Sequence, residues 1–236
     1  MRLFRFFDEI GAIRTIEERR LRVGRLHTLN DPFEFLPGVS GIVEAGADLA
    51  DQQMQKLVRE IGEKTGVLCF SQNATEPVLW SHYANHHRGI VLEFEVTDDQ
   101  QKCVKIDYRN DRPCVDINRF YREGDDYIKP ILLSLISRKS PGWSYEDERR
   151  LYEGLEDCEL GGGFYFRPFP EQSLRRVILG WRCSIELSYI RRAISKAGYS
   201  GCLVTRARST SDSYAIDFDR AELEWKQGGV KLGDDD

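Results

Sequence analysis

One stretch of the chain, Gly66–Val96, constrains the fold more than any other. It begins with a short apolar run, Val67–Ser71, whose length is typical of a buried strand. It ends with an alternating run at Ile90–Val96, which predicts a second strand. Between the two runs, Pro77 predicts the first turn of a helix. That helix would carry a dense group of rings: Trp80, His82, Tyr83, His86 and His87.

The ring group allows two interpretations, which the sequence leaves open. In one, the rings form the wall of a pocket that stacks on and hydrogen-bonds to a planar ligand. In the other, Trp80 and Tyr83 belong to the core and the histidines are solvated. His82 and His86 are four residues apart, so on one helix face they resemble a pair of metal ligands. No Asp, Glu or Cys within the group completes such a site, so we do not expect a metal.

The remaining patterns predict one mixed α+β domain. An amphipathic helix is predicted at Gln52–Glu63, and further short strands include Glu148–Tyr152. Short strands interspersed with a few helices, without a linker or an internal repeat, are typical of a mixed α+β domain. We therefore predict a single domain over residues 1–232 with a split or strongly bent sheet. Residues 233–236 are predicted to be a disordered tail.

Composition argues against two classes of protein, those that bind nucleic acid through bulk positive charge and those that span a membrane. The chain has 236 residues, 41% of them hydrophobic, and a formal net charge of −5. That charge argues against nucleic-acid binding through bulk positive charge, although a local basic groove is compatible with it. No apolar run approaches the length of a membrane span, so no membrane partner is expected. The six cysteines form no C-x-x-C pair, and the N-terminus lacks signal-peptide features. We therefore predict a cytoplasmic protein with reduced thiols.

Two further segments combine carboxylates with aromatic residues. In the first, Asn30 and Asp31 precede Pro-Phe-Glu, and the alternative to a binding role is an Asx turn in which the Asn30 side chain caps local amides. In the second, Lys139–Tyr152, Glu146 and Glu148 would share one face of a strand, and burial would raise the pKa of one of them. The alternative there is a charged edge strand whose acids pair with Arg149 or Arg150 at the surface.

The triple glycine Gly161–Gly163 has no chemical role in this interpretation. It lacks the preceding strand, the following helix and the Lys-Ser/Thr ending of a phosphate-binding loop. We predict that it is a flexible loop.

The order of several short motifs resembles a bacterial family of unknown function, numbered 2971. The motifs are Asn30 to Glu34, Leu68 to Ser71, Trp80 to Ala84, Gly89 to Phe94, Lys139 with Trp143 to Arg149, and Ile178 to Gly180. The resemblance covers most of the chain, roughly from Leu3 to Phe218. Members of that family occur near phage abortive-infection genes, and their activity is uncharacterised. The resemblance therefore implies a family and a defence context, but no reaction.

A weaker resemblance, to ADP-ribosyltransferase-like folds, implies a chemistry. It places Arg5 on the first strand at the His/Arg position of those folds, Tyr83 against the nicotinamide ring and Glu148 as the catalytic carboxylate. The chain lacks their His-x-Thr and Arg-Ser-Glu signatures. A carboxylate near the ribose would stabilise an oxocarbenium-like state, and Arg5 would hold the pyrophosphate.

Three hypotheses follow for the function. The first is an enzyme of toxin or phage-defence type that cleaves NAD or transfers ADP-ribose, to a nucleic-acid or protein acceptor that the sequence does not identify. The second is a non-catalytic module that binds a nucleotide or a nucleic-acid end. The third is a metal-dependent nuclease. In the first, the catalytic residues are Glu148, Tyr83 and Arg5. The predicted ligand-binding residues are Asn30, Asp31, Ser71, Trp80, His82, Glu146 and Arg149.

Overall fold

The computed structural model describes residues 1–41, 47–96 and 103–218. It is a mixed α+β structure whose main sheet is open, which confirms the predicted fold class. The predicted tail at 233–236 lies outside the described residues. The extent of the domain, 1–232, also stays a prediction. Within the described residues, no helix is both long enough and apolar enough to cross a membrane.

Within the described residues, three helices begin at a residue whose side chain caps the first turn. Asp8 caps the first helix, and its side chain accepts a hydrogen bond from the backbone N–H of Gly11 at 2.6 Å. Pro77 occupies the first turn of the third helix, as predicted. The helices are α1 (Glu9–Glu18), α2 (Ala47–Lys64), α3 (Pro77–Tyr83), α4 (Ile117–Glu123), α5 (Asp125–Ser137) and α6 (Leu187–Lys196).

Ten strands of the described residues form the main sheet. The main-sheet strands are β1 (Arg2–Phe7), β2 (Arg20–Arg25), β4 (Thr65–Ser71), β5 (Ile90–Glu95), β6 (Cys103–Lys105), β10 (Glu148–Gly154), β11 (Glu159–Gly161), β12 (Phe164–Pro168), β13 (Leu174–Leu179) and β14 (Leu203–Arg206). Neighbouring strands follow the order β11-β12-β2-β4-β1-β5-β13-β14, and β10 pairs with both β4 and β6. The shorter strands are β3 (Gly38–Ser40), β7 (Asp107–Tyr108), β8 (Cys114–Asp116), β9 (Arg138–Lys139), β15 (Arg208–Ser209) and β16 (Ile216–Asp217).

The main sheet splits along one side of β4. The start of β4 pairs with β2, where Val67 faces Gly24. Its end pairs with β1, where Ser71 faces Phe4. Along the opposite side, β10 pairs with β4 over its whole length. Because β1 and β2 share β4 but diverge from each other, a gap opens between them, and the predicted split sheet is confirmed.

One face of the sheet carries the main apolar core, which fixes the strands around this split. Helices α1 and α6 contact each other and cover that face with Ile16, Ile190 and Ile194. Full burial of one such aliphatic side chain stabilises the fold by about 1.5–3 kcal/mol. The strands contribute buried residues that include Leu3, Leu68, Phe70, Leu92 and Val177.

The ring group does not share a single helix, contrary to the prediction. Helix α3 ends at Tyr83, and the backbone of His86 and His87 is left-handed, with φ of 53° and 67°. The chain must turn there because Gly89 packs against β1. A Cβ atom at Gly89 would lie 2.0 Å from the carbonyl oxygen of Phe7. The helical i, i+4 geometry on which a His82–His86 metal pair depended is therefore absent.

The triple glycine is part of a β-hairpin, so the flexible-loop prediction is wrong. Gly161 ends β11 and pairs with Phe164, the first residue of β12. Gly162 and Gly163 have φ of 59° and 81°, and two consecutive residues at positive φ are what a two-residue hairpin turn requires. The turn therefore explains the glycines without any ligand.

Candidate functional site

A cavity of about 240 Å³ lies at the split of the sheet. Its walls include residues of β1, β4 and β10, together with Tyr83 from α3 and Asn30 from the loop after β2. Of the residues predicted to act at the site, the cavity brings together Arg5, Asn30, Ser71, Tyr83, Glu146 and Glu148. These residues come from five separate parts of the sequence, so their proximity is produced by the fold.

Two carboxylates reach the cavity through an unusual stretch of backbone. Glu146 ends a 3₁₀ turn, Pro141–Glu146, and Glu148 begins β10. Asp147 between them is left-handed, with φ of 41°. Glu146 and Glu148 are each only 5% exposed. The alternative of a charged edge strand with surface ion pairs is therefore wrong, since β10 also has strand partners on both sides.

Five buried charges form a connected network, which we call the five-charge cluster: Glu34, Lys139, Glu146, Glu148 and Arg150. Arg150 holds both oxygens of Glu148, with Nε–Oε1 at 2.7 Å and Nη2–Oε2 at 2.8 Å, and it also contacts Glu34. Lys139 Nζ lies 2.6 Å from Glu146, 3.3 Å from Glu148 and 3.5 Å from Glu34. Three carboxylates thus share two cations.

The cluster drives the pKa values of Glu146 and Glu148 in opposite directions. Burial raises the pKa of Glu146, and the charge of Lys139 only partly offsets this. Burial also acts to raise the pKa of Glu148, but Arg150 and then Lys139 outweigh it, so that pKa is lowered. Glu148 is consequently held as an anion, whereas Glu146 binds a proton more readily than an ordinary glutamate. Such divergence within a pair of carboxylates is typical of acid–base sites.

Tyr83 links Glu146 to the loop after β2. Its hydroxyl donates to Glu146 Oε1 at 2.5 Å and accepts from Asn30 Nδ2 at 2.8 Å. Burial and the contact with Glu146 raise the pKa of Tyr83, so the phenol stays protonated. Ser71 fixes the same region from β4, because its hydroxyl donates to the carbonyl oxygen of Glu146 at 2.5 Å.

Within the part of the chain that the structure describes, two arginines of the cavity lining, Arg5 and Arg150, each keep one buried donor without a partner. Arg5 bridges the split, and its Nη2 donates to the carbonyl oxygen of Arg22 on β2 at 2.6 Å. Among the described residues, Arg5 Nη1 and Arg150 Nη1 are both buried without a hydrogen-bond partner. Burial lowers the pKa of Arg5 to about 10, so the group still carries its charge at neutral pH. A buried cationic N–H without an acceptor is costly, and an anionic ligand would satisfy it.

The structure does not bring the other predicted residues into the cavity. Trp80 is fully buried in the core, where its indole N–H donates to the carbonyl oxygen of Ala74 at 2.7 Å and its ring meets Phe6 edge to face. The core interpretation therefore holds for Trp80, because its one polar atom is already satisfied. Tyr83, its predicted companion in the core, lines the cavity instead.

His82, Arg149 and Asp31 likewise lie outside the cavity. His82 Nδ1 lies 3.2 Å from the hydroxyl of Tyr145. Arg149 is on the opposite face of β10, where its Nε donates to Gln72 at 2.8 Å. An Asx turn is present, but it is formed by Asp31, whose side chain accepts from the backbone N–H of Phe33 at 2.9 Å. The predicted turn used the side chain of Asn30, which instead donates to the hydroxyl of Tyr83.

Three residues of the cluster were absent from the predicted site: Glu34, Lys139 and Arg150. Each stands in a motif that the sequence does single out, but as a companion of another candidate. Glu34 and Arg150 are 116 positions apart, so no local pattern indicates that they meet. Within the described residues, no group of three or more His, Cys, Asp or Glu side chains is arranged to hold a metal ion. Whether a metal is needed stays a prediction.

Comparison with known proteins gives a match to one family, whose function is not known. A sequence model of the family described as "Protein of unknown function (DUF2971)" matches residues 79–151. This match confirms the predicted family resemblance, over about a third of the chain. It includes Tyr83, Lys139 and the two cavity carboxylates. No curated protein and no solved structure matches significantly.

Proposed function

We propose that this protein cleaves the nicotinamide–ribose bond of NAD and transfers the ADP-ribosyl group to an acceptor or to water. The observation that carries the proposal is the pair Glu146 and Glu148, which face one cavity with pKa values driven in opposite directions. The resemblance to ADP-ribosyltransferase-like folds points to the same chemistry. A cytoplasmic role in toxicity or phage defence is part of the proposal.

The cavity has the character that one end of a dinucleotide requires. Its volume of about 240 Å³ is below the ~300–1,000 Å³ of sites that enclose a whole drug-sized ligand. It would therefore take the nicotinamide riboside portion, with the ring of Tyr83 and the phenylalanines of β1 on its apolar walls. The free donors of Arg5 and Arg150 would hold the negatively charged pyrophosphate or the ribose hydroxyls.

The two carboxylates would have different roles in the reaction. The C1′–N bond breaks, its electron pair leaves with nicotinamide, and positive charge develops on the ribose. Glu148, held ionised by Arg150, would stabilise that charge. An acceptor oxygen or nitrogen then bonds to C1′ and loses its proton. Glu146, with its raised pKa and its contact with Tyr83, would receive that proton.

The decisive experiment is chromatographic detection of nicotinamide released from NAD by the purified wild-type protein. Glu148→Gln should slow the release about 100- to 1,000-fold, which is typical when one preorganised electrostatic contact is lost. Glu153→Gln is the matched control, because Glu153 lies on the same strand and pairs with Arg167 away from the cavity. The control should retain wild-type rates.

Stability has to be measured beside activity, because Glu148 is part of a buried ion pair. Thermal melting of each variant separates a lost reaction from a lost fold. If Glu148→Gln does not fold, the wild-type result alone decides: a wild type that releases no nicotinamide contradicts the proposal.

A non-catalytic binding module is the second candidate. It is favoured by the complete pairing of both Glu148 oxygens with Arg150, which leaves that carboxylate already neutralised. A wild-type protein that binds NAD in calorimetry, yet releases no nicotinamide, would establish this alternative.

A further inference from the structure

A second cavity, of about 210 Å³, lies beside the first. Glu34 and Lys139 line both cavities, so only these side chains of the five-charge cluster separate them. The small parallel sheet of β7 and β9 fixes this arrangement, because it pairs Tyr108 with Lys139. Arg138, the neighbour of Lys139 on β9, lines the second cavity but not the first.

An exposed aromatic ring stands at this second cavity. Phe33 is 60% exposed, although phenylalanine is usually buried. Its backbone is held in the Asx turn of Asp31, and Phe35 just beyond is left-handed, with φ of 57°. A bulky residue in that region is strained, and such strain is concentrated at functional loops. The turn directs Glu34 into the five-charge cluster and leaves Phe33 at the surface.

Arg112 makes this ring part of a rigid platform. Its guanidinium carbon lies 5.6 Å from the centroid of Phe33. The same side chain donates to the carbonyl oxygens of Leu36 at 2.8 Å and Pro37 at 2.6 Å. Since both acceptors are neutral carbonyls, the positive charge of Arg112 is not neutralised by these bonds.

The second cavity carries charges of both signs, and Arg112 is the cation available to an anionic partner. Arg109, Arg112, Arg138 and Lys139 line it, against Asp31, Glu34 and Asp111. Glu34 is neutralised by Arg150 and Lys139, and Asp111 pairs with Arg138 at 2.8 Å. Arg109 pairs with Asp107, and both side chains are about half exposed, so that pair is screened by water. Asp31 is buried, with its carboxylate turned to the backbone N–H of Phe33. Within the described residues, Arg112 has no carboxylate partner, so its positive charge beside Phe33 is available to an anion.

We propose that this second cavity binds a single-stranded nucleic-acid segment, with one base stacked on Phe33 and the adjoining phosphates held by Arg112 and Arg109. Proteins bind single strands by combining aromatic platforms with basic grooves, and Arg contributes a cation–π contact. A duplex would not fit as well, because its base faces are already covered. The proposal deepens the proposed function by naming the acceptor class, and it rests on that function only for the chemistry.

The test is fluorescence anisotropy with a labelled single strand of about 12 nucleotides, without NAD, so that binding is observed apart from catalysis. Phe33→Ala should weaken binding about tenfold, and Phe33→Tyr should retain it, because stacking needs only the ring. Tyr214→Ala, which removes another fully exposed aromatic ring, should have no effect.

The salt dependence supplies an independent measurement. For a single strand, each neutralised phosphate contributes about −0.7 to the slope of log K against log salt concentration. Arg112→Gln should reduce the magnitude of the slope by about 0.7, whereas Arg14→Gln, at an exposed position on α1, should leave it unchanged.

The inference and the proposed function can fail separately. Absence of binding up to about 100 μM protein, while NAD is still cleaved, overturns the nucleic-acid inference alone. Equal losses for Phe33→Ala and Tyr214→Ala overturn it as well, as does duplex binding as tight as single-strand binding. Single-strand binding without any cleavage of NAD leaves the inference standing and contradicts the proposed function.

Discussion

The main sheet carries two buried ionic sites of very different composition. Glu93 on β5 and Arg176 on β13 are cross-strand neighbours, 2% and 4% exposed, and form a pair at 3.2 Å. The five-charge cluster instead gathers its members from four segments, and its acids outnumber its cations by three to two. Glu93 and Arg176 neutralise each other between adjacent strands, so stabilisation of the sheet explains this pair. The five-charge cluster has more carboxylates than cations and keeps a proton-binding carboxylate at a cavity, which packing alone does not require.

The largest difference in stability between the two ionic sites is expected when their arginines are replaced. Arg150→Met leaves two carboxylates buried without their main cation, and removal of one partner from a buried pair typically costs about 3–5 kcal/mol. Arg176→Met should cost less, about 1–3 kcal/mol, because Arg2 also reaches Glu93, at 3.4 Å. Urea denaturation of both variants measures the difference. Equal losses would mean that the cluster behaves as an ordinary ion pair.

Within the cluster, the contributions of Glu148 and Glu146 to stability should depend on pH in opposite ways. The pKa of Glu148 is lowered by folding, so its stabilisation is present above its unfolded value of about 4.3 and is lost as pH falls. The penalty of Glu148→Gln should therefore shrink in acid. The pKa of Glu146 is raised, so its ionisation destabilises the folded state as pH rises above that same value. The penalty of Glu146→Gln should consequently be larger in acid than at neutral pH.

Unfolding free energies of the wild type and both variants, measured between about pH 2 and pH 7, test this opposition. Glu153→Gln serves as the control, because its carboxylate is at the end of the strand and outside the cluster. Parallel trends for the two cluster variants would contradict the assignment of one proton-binding and one ionised carboxylate.

The sequence predicted the elements of the fold better than their burial. Asp8 as a helix cap and Pro77 as a helix start rest on local chemistry, which a sequence states directly. The alternation in Ile90–Val96 was read as a strand, but β5 is buried from Ile90 to Phe94, including Glu93. That burial depends on an arginine 83 positions away, and no local pattern encodes the pairing.

Only part of the candidate site was predicted, because its ion pairs also join residues that are far apart in the sequence. Tyr83, Glu146 and Glu148 stood out as polar and aromatic residues in dense motifs, and the fold does bring them together. Trp80 stood out equally, yet its indole bonds within its own segment and it belongs to the core. In the sequence, Arg150 was expected to pair at the surface, and Lys139 had no predicted role of its own. Only the three-dimensional arrangement gives them three carboxylates to neutralise.

The smallest expected effect concerns Arg2, the exposed second partner of Glu93. Its side chain is 56% exposed, so Arg2→Gln alone should cost less than about 1 kcal/mol. In the Arg176→Met background the same change should cost more, because Glu93 would then lose both arginine partners. A double-mutant cycle by urea denaturation measures this coupling. Additive costs would show that Arg2 does not replace Arg176, and the smaller penalty expected for Arg176→Met would then need another explanation.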